Sequence, residues 1–180
     1  VFLAGVLFGL TGLLKPPLAG GGAILGLYMG YREWSFAAPG STLRDRLFAA
    51  AKPSLWIALG GVAPMVLVAL WFAARGAMGD LRQVLFVFTP YYTKLGWEGA
   101  SLGGMLYWGF IEWLTSYCSA LSVGVLLALG FGATAKEKPF LALLAGIIAM
   151  HLAGVTMQAK FSPYHYGATW PLTALVAGFG

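Results

Sequence analysis

The chain has 180 residues, of which 59% are hydrophobic and only 9% charged, with a mean hydropathy of +0.80. A soluble globular domain carries roughly 25% charged residues, so this composition excludes that class and points to a polytopic membrane protein. The net charge of +5 does not signal nucleic acid, because no basic cluster or stacking platform of the kind such binding uses is present.

A crossing helix needs about 20 apolar residues, since roughly 30 Å of hydrocarbon is spanned at about 1.5 Å per residue. Residues 1–14 form one apolar run and are expected to be the end of a transmembrane helix rather than a signal peptide, for they lead into Lys15-Pro16-Pro17 and not a small-residue cleavage site. Keeping Lys15 out of the bilayer core saves about 2.5 to 3.5 kcal/mol, and proline favours a helix start, so the chain is expected to turn there. Residues 16–31 then make a short span in which Gly22, Gly26 and Gly30 recur every four residues, a small face that lets another helix approach closely. Residues 32–52 carry Arg32, Arg44, Arg46 and Lys52 around a Pro39-Gly40 turn and read as a cytoplasmic loop.

The run 55–74 crosses next, with Pro64 as an expected kink and Arg75-Gly76 as its end. Asp80 is a candidate N-cap for an amphipathic interfacial helix over 80–88, because Leu81, Val84, Leu85 and Phe88 fall at helical spacing; Thr89-Pro90 is expected to break it. The run 105–131 returns through the bilayer with the lone cysteine, Cys118, inside it, which leaves no disulfide or cysteine metal site within the segment. Lys136-Glu137-Lys138 is a tight basic turn, 140–157 crosses back, and 167–180 opens a last helix. The fold expected is therefore a single all-α transmembrane domain over residues 1–180, a bundle of five to six helices of which the first and last are incomplete.

Counting crossings puts residues 32–52 and 136–138 on one side, and Lys15, 75–104 and 158–166 on the other. The first side holds six of the eleven basic residues, so the positive-inside rule makes it cytoplasmic, although the alternation of spans carries more of that assignment than the bias does. Lys15, Tyr91, Tyr92, Lys94, Glu98, Lys160, Tyr164 and His165 then emerge together at the outer face. Lysine binds phosphate as a point charge and tyrosine or histidine can donate to its oxygens, so such a face suits an anionic lipid phosphate. Snorkelling lysines and interfacial tyrosines produce the same pattern without a ligand. The segment 158–171, QAKFSPYHYGATWP, is the densest part of it. Glu112 and His151 lie inside apolar runs, where ionisable groups are functional candidates. There is no phosphate loop, no metal-spaced histidine pair, no nucleophile elbow and no Asp-x-Asp motif.

The stretches GLTGLLKPPLAGGGAILGLYMGYR, RGAMGDLRQVLFVFTPYYTK and AKFSPYHYGATWPLTALVAGFG resemble the later transmembrane half of the C-type membrane glycosyltransferases (the GT-C fold). Within that group the chain is most similar to the bacterial relatives of protein O-mannosyltransferases and lipid A aminoarabinose transferase. The resemblance implies an enzyme of the cell envelope, in the bacterial inner membrane, that moves a sugar from a polyprenyl-phosphate donor to a lipid, glycan or protein acceptor at the periplasmic face. It implies no cofactor. The family's catalytic carboxylate lies in a first outer loop, and no residue here matches it. The basic residue of the last outer loop, which contacts the donor phosphate, corresponds to Lys160, with Tyr164 or His165 assisting; Lys15 is a second carry-over. Tyr92, Lys94 and Glu98 complete the substrate-binding candidates by their place on the same face. A transporter or flippase of lipid-linked sugars is the alternative, distinguished by a substrate site near the midplane.

Overall fold

A computed structural model describes residues 1–117, 124, 127–128, 130, 134, 136–159 and 161–179. It is helical throughout, with no strand among the described residues. Two of its helices, Leu43–Ala74 and Lys138–Met157, are long and apolar enough to cross a membrane. The chain packs as two compact units, Val1–Leu67 and Val68–Gly180.

In the first unit, α1 (Phe2–Leu14) ends at Lys15, whose extended backbone, φ −152°, suits a residue before proline, and α2 (Pro16–Ser35) starts at once on Pro16. The turn expected at Lys15 is therefore present. The small face of α2 also behaves as expected. A Cβ at Gly26 would stand 3.1 Å from Ser54 Oγ, and one at Gly30 2.6 Å from the Ala50 carbonyl oxygen, so α3 (Leu43–Ala74) lies directly against it. Gly5 and Gly60 serve the α1–α3 crossing in the same way: a Cβ at either would run into the carbonyl oxygen of Ile57 or Phe2.

Helix α3 begins twelve residues before the expected span, inside the stretch read as a loop. A reciprocal cap explains it. The Thr42 hydroxyl donates to Asp45 Oδ2 at 2.7 Å while the Asp45 N–H donates to Thr42 Oγ1 at 3.2 Å, satisfying first-turn donors that would otherwise be open. The turn at Gly40, φ +86°, survives just ahead of it.

In the second unit, α3 stops where expected. Gly76 has φ +70°, its N–H reaches the Ala73 carbonyl, and the Ala77 N–H reaches the Phe72 carbonyl at 2.9 Å, a left-handed cap that needs glycine. Asp80 does not cap the next helix: α4 (Met78–Gln83) has Ala77 at its N-cap and Asp80 in its first turn. Nor does Thr89-Pro90 break it. A π-helical turn over Val84–Phe88 leads without interruption into α5 (Thr89–Gly96), with the Thr89 N–H and hydroxyl both on the Val84 carbonyl, the latter at 2.8 Å. The wider turn removes the demand for a hydrogen bond from Pro90, which has no N–H to give.

Helix α6 (Leu102–Glu112) is capped by Ser101, which accepts from the Gly104 N–H, and continues as a second π turn, Trp113–Tyr117. Most of the remainder of the run expected over 105–131, Cys118 included, lies outside the described residues. Helix α7 (Lys138–Met157) follows a turn in which Glu137 accepts from the Thr134 N–H and hydroxyl. A one-turn helix α8 (Pro163–Tyr166), a 3-10 turn (Gly167–Thr169) and α9 (Trp170–Phe179) complete the unit. Its core is made by Trp113, Leu141, Leu144, Ile148, Val155, Tyr166 and Val176.

Candidate functional site

The segment read as polar in the sequence is built in layers. Helix α7 ends in a tight reversal in which Ala159 takes φ +52°, a left-handed conformation that costs an alanine about 1 kcal/mol. Ser162 and Pro163 then open the one-turn helix, with the His165 N–H on the Ser162 carbonyl at 2.9 Å. Successive side chains diverge. Tyr164 is 70% exposed, whereas His165 and Tyr166 are buried. The buried His165 ring lies beside that of Tyr164, centroids 4.0 Å apart.

Beneath this turn runs a string of buried polar contacts. His151 Nε2 donates to the His165 carbonyl at 2.7 Å, Trp113 Nε1 to Thr169 Oγ1 at 3.0 Å, Thr169 Oγ1 to the Tyr166 carbonyl at 2.7 Å, and Thr173 Oγ1 to the Thr169 carbonyl at 2.8 Å. Each donor is fixed by a partner, which is what a polar group removed from water requires. Composition alone marked His151; it could not reveal that its partner is a backbone carbonyl fourteen residues on. Glu112, the other intramembrane candidate, is half-buried at the end of α6.

A second stretch joins this end of α7. Trp97 Nε1 donates to the Met157 carbonyl at 3.0 Å, and Gly96 is so close to Ala159 that a Cβ there would be 2.7 Å from the alanine methyl. The end of α5 is thereby fixed against the end of α7. Tyr92, stacked on Phe88 at 5.9 Å, and Lys94 are exposed on α5, and Glu98 is exposed just beyond it. Lys15 belongs to the first unit, where partial burial lowers its pKa from the usual lysine value. Lys160 lies outside the described residues. No group of three or more metal-ligating side chains occurs among the described residues.

Alongside the polar string, a groove of about 380 Å³ opens between α6 and α7, walled by Leu106, Phe110, Trp113, Ile148 and Leu152, with Thr156 as its polar lining residue. Its apolar lining suits a hydrocarbon chain rather than a polar solute. Comparisons with protein families, curated proteins and solved structures find no match to this chain.

Proposed function

We propose that the chain is part of a C-type membrane glycosyltransferase, a multi-pass protein of five to six spans in the bacterial inner membrane. It transfers a sugar from a polyprenyl-phosphate donor to a lipid, glycan or protein acceptor at the periplasmic face. The observation that carries this reading is convergence. Two stretches 60 residues apart, one bearing Tyr92, Lys94 and Glu98 and the other Tyr164, meet at a single end of α7, beside an apolar groove. Polar groups at a helix end with an apolar channel alongside is the arrangement a phosphate headgroup and its lipid tail require. The outward surface of α3 supports membrane residence: Leu55, Trp56, Leu59, Val66, Leu67 and Leu70 are all exposed, the reverse of a helix in a soluble core.

In this reading Lys160 neutralises the donor phosphate, with Tyr164 or His165 assisting, and a fixed positive charge stabilises the phosphate as the glycosidic bond breaks. In the full-length protein, Lys160→Met should lower turnover of a polyprenyl-phosphate sugar about 100-fold at matched expression, with Lys160→Arg retaining more. Wild-type rates in the methionine variant would sink the assignment. Labelling of single cysteines in intact cells checks the orientation: position 164 should be reachable from outside, and positions 44 and 136 should not.

A flippase of lipid-linked sugars is the reading favoured by His151 and Tyr166, since buried polar groups between membrane helices also mark transport paths. Movement of a lipid-linked sugar across proteoliposomes without bond transfer would select it.

A further inference from the structure

Helix α8 has four residues, too few to hold its own shape or direction in isolation. Its orientation must be imposed from outside, and three contacts do so. Tyr166 is fully buried and directs its hydroxyl toward the Gly109 carbonyl of α6, 3.5 Å away. Thr169, held by Trp113, bonds the Tyr166 carbonyl. His151, less than two turns inside the end of α7, bonds the His165 carbonyl at 2.7 Å. A carbonyl oxygen only accepts, so the proton at this contact sits on His151 Nε2. His151 is 3% exposed in an otherwise apolar stretch, an expensive place for an imidazole. The tie falls on the residue that separates the outward Tyr164 from the inward Tyr166.

We propose that His151 is a positioning residue: its Nε2–H, held on the His165 carbonyl, fixes the turn from which Tyr164 projects to meet the donor. The identity of what Tyr164 meets rests on the glycosyltransferase reading; the tie itself does not. His151 touches neither donor nor reacting atoms and acts only through the direction it gives α8. Its removal should therefore weaken donor binding while leaving the chemical step nearly intact.

The test uses the full-length protein. In a cysteine-free background, His165→Cys retains the backbone carbonyl and places a thiol where the wild-type ring is buried. A water-soluble maleimide should label it slowly. Adding His151→Phe, which keeps a ring but has no donor, should raise the labelling rate about tenfold, the effect of one lost buried hydrogen bond. His151→Gln, whose amide can donate, should return it to within about threefold of the His151 background. In parallel, with His165 intact, His151→Phe should raise the KM for a polyprenyl-phosphate sugar about tenfold with kcat little changed, and His151→Gln should restore it. Should the phenylalanine variant not fold, His151→Leu takes its place. Equal labelling with and without His151 overturns the proposal, as does a fall in kcat at constant KM. A wild-type protein that turns over no polyprenyl-phosphate sugar sinks the functional reading and with it the role toward the donor, while the labelling contrast still decides whether the tie orients the turn.

Discussion

The two units are held together by different means. In the first, Ile57 is the large side chain that is buried, and the helices instead meet backbone against backbone at Gly5, Gly9, Gly26, Gly30 and Gly60. In the second, bulky side chains fill a core and a chain of hydrogen bonds from His151 to Thr173 runs through it. Glycine contacts gain dispersion energy and weak Cα–H contacts over a long seam, none of which depends on one group. The polar string concentrates its contribution in a few bonds, each leaving an unsatisfied buried atom if its partner is removed. The first unit should therefore be sensitive to added volume and the second to lost donors.

Gly60→Leu gives the largest expected effect. Its Cβ alone would strike the Phe2 carbonyl, so α1 and α3 must separate, and overpacking of this kind costs typically 1–3 kcal/mol or more. Thermal unfolding in detergent should show a lower midpoint than for Gly61→Leu, since a Cβ at Gly61 has its nearest neighbour at 3.6 Å. If both variants unfold alike, close approach at Gly60 is not what holds the seam. In the second unit, Trp113→Phe keeps most of the ring but removes the donor to Thr169, at about 1–3 kcal/mol. Trp113→Phe combined with Thr169→Val should be less harmful than the two losses added, because the bond between the two side chains can be lost only once; a strictly additive double variant would show that the pair is not coupled.

The smallest effect concerns the start of α7. Hydrogen bonds from Thr134 lower the pKa of Glu137 below its usual value. A depressed carboxylate stabilises the folded form above its unfolded pKa and loses that contribution as pH falls through the folded one. Protection of the Lys138, Phe140 and Leu141 amides against exchange, corrected for the intrinsic pH dependence of exchange, should accordingly fall as pH drops from the ordinary glutamate range toward the lowered value. In Thr134→Ala protection should already be lower at neutral pH and should fall less over the same interval. Identical profiles would mean that the carboxylate adds nothing to the helix start.

The contrast between the units also governs how much of the molecule was legible in its sequence. The Gly22, Gly26, Gly30 face, the Lys15-Pro16 reversal and the Arg75-Gly76 stop are local patterns with one geometric solution each, and all three are found. The early start of α3 was equally local, and the Thr42-x-x-Asp45 pair could have revealed it; the basic residues around that pair favoured a loop reading instead. Helix continuity through Pro90 was not readable, because a π turn has no compositional signature. Of the candidate site, the sequence could bring Tyr164 and His165 together but not tell which faces outward. That choice depends on His151 and Gly109, partners fourteen and fifty-seven residues away.

The π turn at Val84–Phe88 carries a consequence for how the surface around it is laid out. Such a turn holds one residue more than an α-helix would over the same rise, so everything after it is rotated by about 100° relative to everything before. Counted as an unbroken α-helix, Tyr92 and Lys94 would fall on azimuths they do not occupy. Deleting one residue from the turn would restore α-helical phase, swing Tyr92 and Lys94 by that angle about the helix axis, and leave Pro90 facing a carbonyl it cannot bond. The position of these two side chains is thus encoded in the length of the peptide before them as much as in their own identity.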